Sequence, residues 1–413
     1  MITRRFFTLT AGTALLSGCV GGAGSRMGSA APGSRETPAL RPVPNSGWDS
    51  WIASYRSRAS SRGISQGTLD SAFRYAGFLP DVIEKDRNQT EFKRSLEDYL
   101  SIAASDERVS LGREMYARYG STLAAIEQRY GVEGNVVAAF WGLESFFGTR
   151  RGNVPVVSAL STLAYEGRRA AFFESQLDGA LKILQAGDVA PERMVGSWAG
   201  AMGHTQFIPT SYLQYAVDFT GDGRRDIWSD DPTDALASTA NYVARTGWQR
   251  GLPWGMEVSL PSGFNAGLLG RGKGKSAAEW EALGVSRAAG GGLSGGSIIQ
   301  PGGAGTPAFL LTQNFNVILR YNNAENYAIG VGHLADRIKG GGPVRADFGP
   351  DRTGLTKADR QQLQQRLTAR GFDTGGTDGV IGPKSREAIS AYQAQNGMAV
   401  TGEPSSALLA ALR

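Results

Sequence analysis

The sequence predicts a mainly α protein with a small region of short strands late in its main body and a separate helical module at its end. Three observations lead there. Apolar residues recur with helical spacing between Trp48 and Thr246, as in the face shared by Trp48, Trp51, Ile52 and Tyr55. After Trp248 that spacing gives way to short apolar runs separated by glycine, most densely over residues 290–305, where a helix would be unfavourable. A second break, Gly340-Gly341-Gly342-Pro343, then opens onto renewed helical patterning. The chain has 413 residues, enough for two or three domains at roughly 100–200 residues each.

In chain order, the first segment reads as an export signal. Arg4-Arg5 precedes an apolar stretch from Phe6 to Leu16, too short for a permanent membrane span, and small residues lead to Cys19. Leu16-Ser17-Gly18-Cys19 resembles a bacterial lipobox, which implies that Cys19 becomes the acylated first residue of the mature protein. An ordinary signal peptide with an incidental cysteine is the alternative. Thr3-Arg4-Arg5-Phe6-Phe7 also resembles a twin-arginine export signal. Residues 1–18 are therefore assigned as signal peptide and 19–46, rich in Gly, Ser, Ala and Pro, as a lipidated flexible tether.

The ordered body is assigned to residues 47–340. Helices run to about Tyr130, with Phe92, Leu96, Tyr99 and Leu100 on one face, and continue through 136–147, 171–185, 191–198 and 234–246. Strands or buried loops are expected at 257–260, 309–312 and 317–319, and a helix returns over 324–337. Residues 341–353 read as a linker and 354–413 as the terminal module.

Composition excludes several functions. The net charge of +5 comes from scattered basic residues, which argues against a nucleic-acid partner. One cysteine rules out an internal disulfide framework, and two distant histidines argue against a His/Cys zinc site.

Three segments carry chemistry. The run from Val136 to Gly148 is an apolar helix with one acidic residue, Glu144, lying three or four positions from Phe140, Trp141 and Phe147. Burial beside those rings would favour a protonated carboxyl, the form that can donate to a glycosidic oxygen. By composition alone the helix could equally expose Glu144 to solvent. The second segment, Ser197 to Tyr212, mixes glycines with Ser197 and Gln206, and fits either a ligand-contacting loop or a tight structural one. The third, Asp218 to Ser229, places oxygen ligands at positions 1, 3 and 5, glycine at 6 and the Arg224 carbonyl at 7, the first half of a calcium loop. Ser229 stands where a glutamate would close it, and an aspartate-capped turn is the alternative.

Together these segments resemble, over residues 48 to about 340, the membrane-bound lytic murein transglycosylases of the B type. Trp141-Gly142-Leu143-Glu144, Gly200-Ala201-Met202-Gly203-His204-Thr205-Gln206-Phe207-Ile208-Pro209 and Arg320-Tyr321-Asn322 occur in the family's order. The resemblance implies a lysozyme-like, mainly α catalytic domain with a small mixed α/β insertion. It further implies cleavage of the β-1,4 bond between N-acetylmuramic acid and N-acetylglucosamine, 1,6-anhydromuramic acid products, and Glu144 as the single acid/base. Ser197, Gln206, Tyr321, Asn322 and Tyr327 match cleft positions. Tyr99, Tyr242, Arg168 and Arg169 match more loosely as sugar contacts, and a structural surface role fits the two arginines equally well. His204 falls at a variable position and receives no chemistry. The family's variant calcium loop implies Asp218, Thr220, Asp222, Arg224 and a later aspartate, Asp234, with Asp230 or Asp231 as alternatives. No cofactor is implied for catalysis.

The module at 354–413 resembles the three-helix peptidoglycan-binding domain, through Asp378-Gly379-Val380-Ile381-Gly382-Pro383 followed by Ala388-Ile389 and Tyr392-Gln393. The expected partners are peptidoglycan glycan strands and, through the N-terminal lipid, a membrane; protein partners are unknown. Val20 after Cys19 points to the outer membrane, facing the periplasm. The rival functions are an inactive wall-binding scaffold and a hydrolytic muramidase.

Overall fold

The computed structural model describes residues 40–87 and 95–412. The signal peptide, Cys19, most of the tether and Phe92 lie outside the described residues. The chain divides into two compact units: one takes the residues up to Glu91 with Asp106–Gly251 and Asn316–Gly340, the other Phe92–Ser105, Leu252–Phe315 and Gly341–Arg413.

The first unit is helical and is built around the Gly134–Ser145 helix, whose residues from Gly134 to Gly142 are all buried. A helix apolar on every side must be enclosed. The helices Asp106–Arg118, Gly120–Tyr130, Thr233–Arg245 and Glu325–Ile338 pack around it. Gly112 and Gly142 leave a slot for the Phe147 ring, since a Cβ on either would come within 3 Å of it. The end of the central helix is thereby held from two sides. Burying a side chain the size of Phe147 contributes roughly 1.5–3 kcal/mol.

The second unit contains an antiparallel four-stranded sheet in the order Ser286–Arg287, Gly255–Ser259, Ala308–Leu311, Ser297–Ile299. Trp280, on the Ala277–Ala282 helix, packs with Met256, Val258, Ile298 and Leu310. Three helices, Lys357–Ala369, Pro383–Gln395 and Ser406–Ala411, form the terminal module on a core of Leu355, Leu363, Leu367, Ile389, Tyr392, Leu408 and Leu412. Its signature turn is fixed by Gln364: Oε1 accepts the Gly379 amide, and Nε2 donates to the Val380 carbonyl and to Ser385 Oγ. Arg360, 1% exposed, donates to Glu97 (2.9 Å) and Asp98 (2.8 Å) on the Leu96–Ala103 helix and to Asp351 (3.0 Å). The linker is anchored as well, through the Arg345 and Ala346 amides on the Glu257 carboxylate.

Two expected elements differ. Of the helix expected at 191–198, only a 3-10 turn, Pro191–Arg193, forms, and Val195–Gly196 pairs antiparallel with Val154–Pro155. The reason is tertiary: a Cβ on Gly196 would lie 2.1 Å from the Ala201 carbonyl oxygen, and one on Gly152 2.3 Å from that of Gly196. Residues 317–319 are not strand or loop but part of the Gln313–Tyr321 helix. The Thr312 hydroxyl accepts the Asn314 amide at its start, and Phe315, Val317 and Ile318 are wholly buried.

Candidate active site

Glu144 lies in the last turn of the central helix, half-buried. The backbone just past this turn is strained. Phe146 and Phe147 both adopt left-handed backbone, at φ 51° and 55°, a conformation that costs about 1–2 kcal/mol for each non-glycine residue. Several contacts offset that: the Phe146 ring lies under Arg150 (4.5 Å) and Arg108 (5.0 Å), and Phe147 meets Trp141 edge-on. Ser145 Oγ accepts the Gly148 amide (2.9 Å) and donates to the His204 carbonyl (2.5 Å). The turn thus stops the helix one residue past Glu144 and fixes where its carboxyl stands.

Tyr327, 4% exposed near the start of the Glu325–Ile338 helix, donates its hydroxyl to Glu144 Oε1 at 2.5 Å. Behind it, Phe140, Tyr321, Tyr242 and Phe207 form an aromatic wall with neighbouring centroids 4.7–6.1 Å apart. The wall's hydroxyls are committed to backbone: Tyr321 to the Thr205 carbonyl (2.5 Å) and Tyr242 to the Arg320 carbonyl (2.6 Å). Asn322 is buried directly after Tyr321, its amide bonded to the Ile318 carbonyl.

The 197–207 loop is a sequence of tight turns. Ser197 donates its amide to the Ala201 carbonyl, and Ser197 Oγ accepts the Ala201 amide. Gln206, at φ 54°, donates both amide hydrogens to carbonyls, those of Arg151 (3.0 Å) and Gly203 (2.9 Å). Its Oε1 has no hydrogen-bond partner among the described residues and is the atom it can offer a ligand.

Arg168 and Arg169 are not brought to this group. Arg168 forms an ion pair with Asp86 and its amide bonds Glu166, while Arg169 stacks over Phe172 (4.3 Å) and Phe173 (5.2 Å). Arg168 thus reaches a neighbouring helix, and Arg169 covers the first turn of the helix it precedes. Tyr99 sits on the Leu96–Ala103 helix of the other unit, half-buried.

The residues that sequence reasoning passed over are His204, Trp141, Ser145 and Arg151. His204 is 3% exposed; Trp141 Nε1 donates to its Nδ1 (3.1 Å), so Nε2 carries the hydrogen and donates to the Ser229 carbonyl (2.7 Å). Burial, with Arg151 adjacent, pushes this imidazole down to about 4 and keeps it neutral. Nothing local signals this, because the partners are 63 and 25 positions away.

In the 218–234 segment, Asp218, Asp222 and Asp234 bring carboxylate oxygens within 4.8 Å of one another. Asp230 instead pairs with Arg151, and Asp231 accepts the Thr233 amide and hydroxyl. Asp234 is the later aspartate whose carboxylate lies with those of Asp218 and Asp222. It is 2% exposed; burial raises its carboxyl above the ordinary value, against three backbone amides that pull the other way. Three carboxylates make an all-oxygen donor set of the kind that suits a hard divalent cation.

A mainly α, lysozyme-like domain with one carboxyl held at the end of a buried helix defines the class: a glycan-cleaving enzyme fold. Comparison with known proteins makes it specific. The transglycosylase SLT domain model matches residues 47–336 and a peptidoglycan binding domain model matches 356–412, and the chain belongs to the SLT transglycosylase family. SltB3 of Pseudomonas aeruginosa, solved in complex with NAG-NAM-pentapeptide, is 46% identical and superposes with a TM-score of 0.72 over 89% of this chain and 99% of that one. Slt35 of Escherichia coli, solved in complex with calcium, is 29% identical with a TM-score of 0.59, over 71% of this chain and 93% of that one. Membrane-bound lytic murein transglycosylase B of Escherichia coli (strain K12) is 32% identical over 240 residues, 56% of this chain and 64% of that protein's length.

Proposed function

We propose that this chain is a lytic transglycosylase that cleaves the β-1,4 bond between N-acetylmuramic acid and N-acetylglucosamine in peptidoglycan and leaves 1,6-anhydromuramic acid ends. The observation that carries the reading is the Glu144–Tyr327 pair, a half-buried carboxyl oriented by a buried hydroxyl. The Pseudomonas relative's complexes with NAG-NAM-pentapeptide and NAG-anhNAM-pentapeptide support the substrate and the product.

In this reading protonated Glu144 gives its proton to the glycosidic oxygen as the C1–O bond breaks. The carboxylate then takes the proton of the muramic acid's C6 hydroxyl, whose oxygen forms the new bond to C1. Water is not consumed, and Glu144 ends as it began. Ser197 and the Oε1 of Gln206 are proposed glycan contacts, as are Asn322 and Tyr99. Tyr321 and Tyr242 act from behind, shaping the cleft wall. Asp218, Thr220, Asp222, the Arg224 carbonyl and Asp234 would hold calcium, whose part is to brace the loop. The terminal module holds the wall, and acylated Cys19 anchors the protein to the outer membrane on its periplasmic side; Cys19→Ala should release it from the membrane fraction, and unchanged retention would contradict that anchor.

Purified sacculi test the assignment by loss of turbidity. Glu144→Gln should keep the fold and lose roughly 10²-fold or more of turnover, because an amide neither gives nor takes that proton. Glu325→Gln is the control, since Glu325 is exposed at the first turn of the Tyr327 helix. Equal activity of Glu144→Gln and wild type would remove Glu144 from the role.

A further inference from the structure

The catalytic helix and the metal loop are joined by a short chain of hydrogen bonds that the proposed mechanism does not use. Asp234 Oδ2 accepts the Asp226 amide (3.0 Å), and Asp226 Oδ1 accepts the amides of Trp228 (2.8 Å) and Ser229 (3.0 Å). The Ser229 carbonyl accepts His204 Nε2–H, and His204 Nδ1 accepts the indole hydrogen of Trp141, one helical turn before Glu144. The backbones are equally close: His204 donates its amide to the Ile227 carbonyl (3.1 Å), and a Cβ on Gly203 would lie 2.3 Å from that same oxygen. On the helix side, Gly148 leaves the space the imidazole fills, as a Cβ there would come within 2.5 Å of Nδ1. Ser145 Oγ grips the His204 carbonyl, giving a second link to the residue beside Glu144.

We infer that His204 is a positioning residue that ties the Glu144 helix to the 226–229 segment, so that cation binding at Asp218, Asp222 and Asp234 is felt at Trp141. This rests on the proposed glycan cleavage and calcium site. His204 touches no substrate; it sets the attitude of the helix end on which Glu144 stands. The indole can only donate and the carbonyl can only accept, so the ring must present one acceptor and one donor. That requirement separates three side chains. Asparagine places an acceptor where Nδ1 stands and loses the link to Ser229, glutamine reaches the Nε2 position and loses the acceptor, and leucine loses both.

The test uses the full chain labelled with 15N-tryptophan, the Trp141 indole resonance being identified with Trp141→Phe. Calcium should shift that resonance in the wild type. In His204→Asn the indole should stay hydrogen-bonded and the calcium-dependent shift should shrink severalfold, while calcium still raises the thermal midpoint. His204→Leu should lower kcat by about tenfold to a hundredfold with KM little changed, the signature of a misplaced acid rather than a lost contact; His204→Asn should recover part of that loss. A Trp141 resonance indifferent to calcium in a protein that calcium stabilises overturns the coupling and leaves the metal site standing. A calcium shift that persists undiminished in His204→Asn overturns the route through the His204 ring. Absence of any calcium effect on the thermal midpoint overturns the metal reading and the coupling together, while turbidity loss of sacculi by the same protein keeps the catalytic reading separate.

Discussion

In the proposed cleavage Glu144 both gives and takes a proton, which needs an orientation that survives both states, and the Tyr327 hydroxyl on Oε1 holds the carboxyl in place. The chain's two histidines show a different use of burial. His204 and His333 are both held down to about 4 by desolvation, each with an arginine nearby. Between about pH 6.5 and 4 the unfolded chain binds these two protons and the folded one does not, so stability falls as pH drops through that window. Each contributes on the order of 1–3 kcal/mol there. Denaturant unfolding at pH 7 and pH 4.5 should show a smaller loss in His333→Phe than in wild type; an identical loss would contradict the assignment. Residue-scale legibility was uneven. Glu144 stood out as the one acid in an apolar helix, whereas Arg168 and Arg169, plausible sugar contacts by position, are occupied by Asp86, Phe172 and Phe173.

At the scale of elements, most helices before Trp248 are legible because their apolar faces repeat at the helical period, whereas the Ala277–Ala282 helix lies in the glycine-broken region where that period is lost. The failures share one cause. A short apolar run such as 317–319 fits strand or helix equally until its neighbours are known, and the pairing at Val195–Gly196 depends on two backbones meeting where glycine alone leaves room. The 218–234 segment lies between these cases: the spacing of Asp218, Thr220 and Asp222 is visible in the sequence, whereas only the fold brings Asp234, and not Asp230 or Asp231, to the carboxylates of Asp218 and Asp222. Calcium should raise the thermal midpoint by several degrees, and Asp222→Ala should abolish the rise while leaving sacculus digestion measurable. A midpoint unmoved by calcium and chelator would contradict the site.

At the scale of the whole molecule, the terminal module is bound to its own unit by more than the linker. Arg360 was one more polar position on a helix to sequence reasoning; in the fold it is buried among Glu97, Asp98 and Asp351, with the Gly379 carbonyl on Nε. Breaking a buried ion pair by removing one partner costs roughly 3–5 kcal/mol, so Arg360→Leu should lower stability by that order and increase proteolysis in 341–353. Deleting residues 343–413 should weaken pelleting with sacculi and preserve cleavage of soluble glycan fragments; equal pelleting would refute the module's role. Two-carboxylate glycosidases pair an acid with a nucleophile or a base, whereas Glu144 is the only acidic residue in the 136–148 and 197–212 segments, and in the proposed cleavage the attacking group is the muramic acid's own C6 hydroxyl. Held in the same ring, that hydroxyl has an advantage over water that reaches roughly 7–11 kcal/mol in well-oriented systems. Mass spectrometry of fragments released from sacculi reads the outcome directly: the account predicts 1,6-anhydromuramic acid ends, lighter by one water, and a preponderance of reducing muramic acid ends would contradict it.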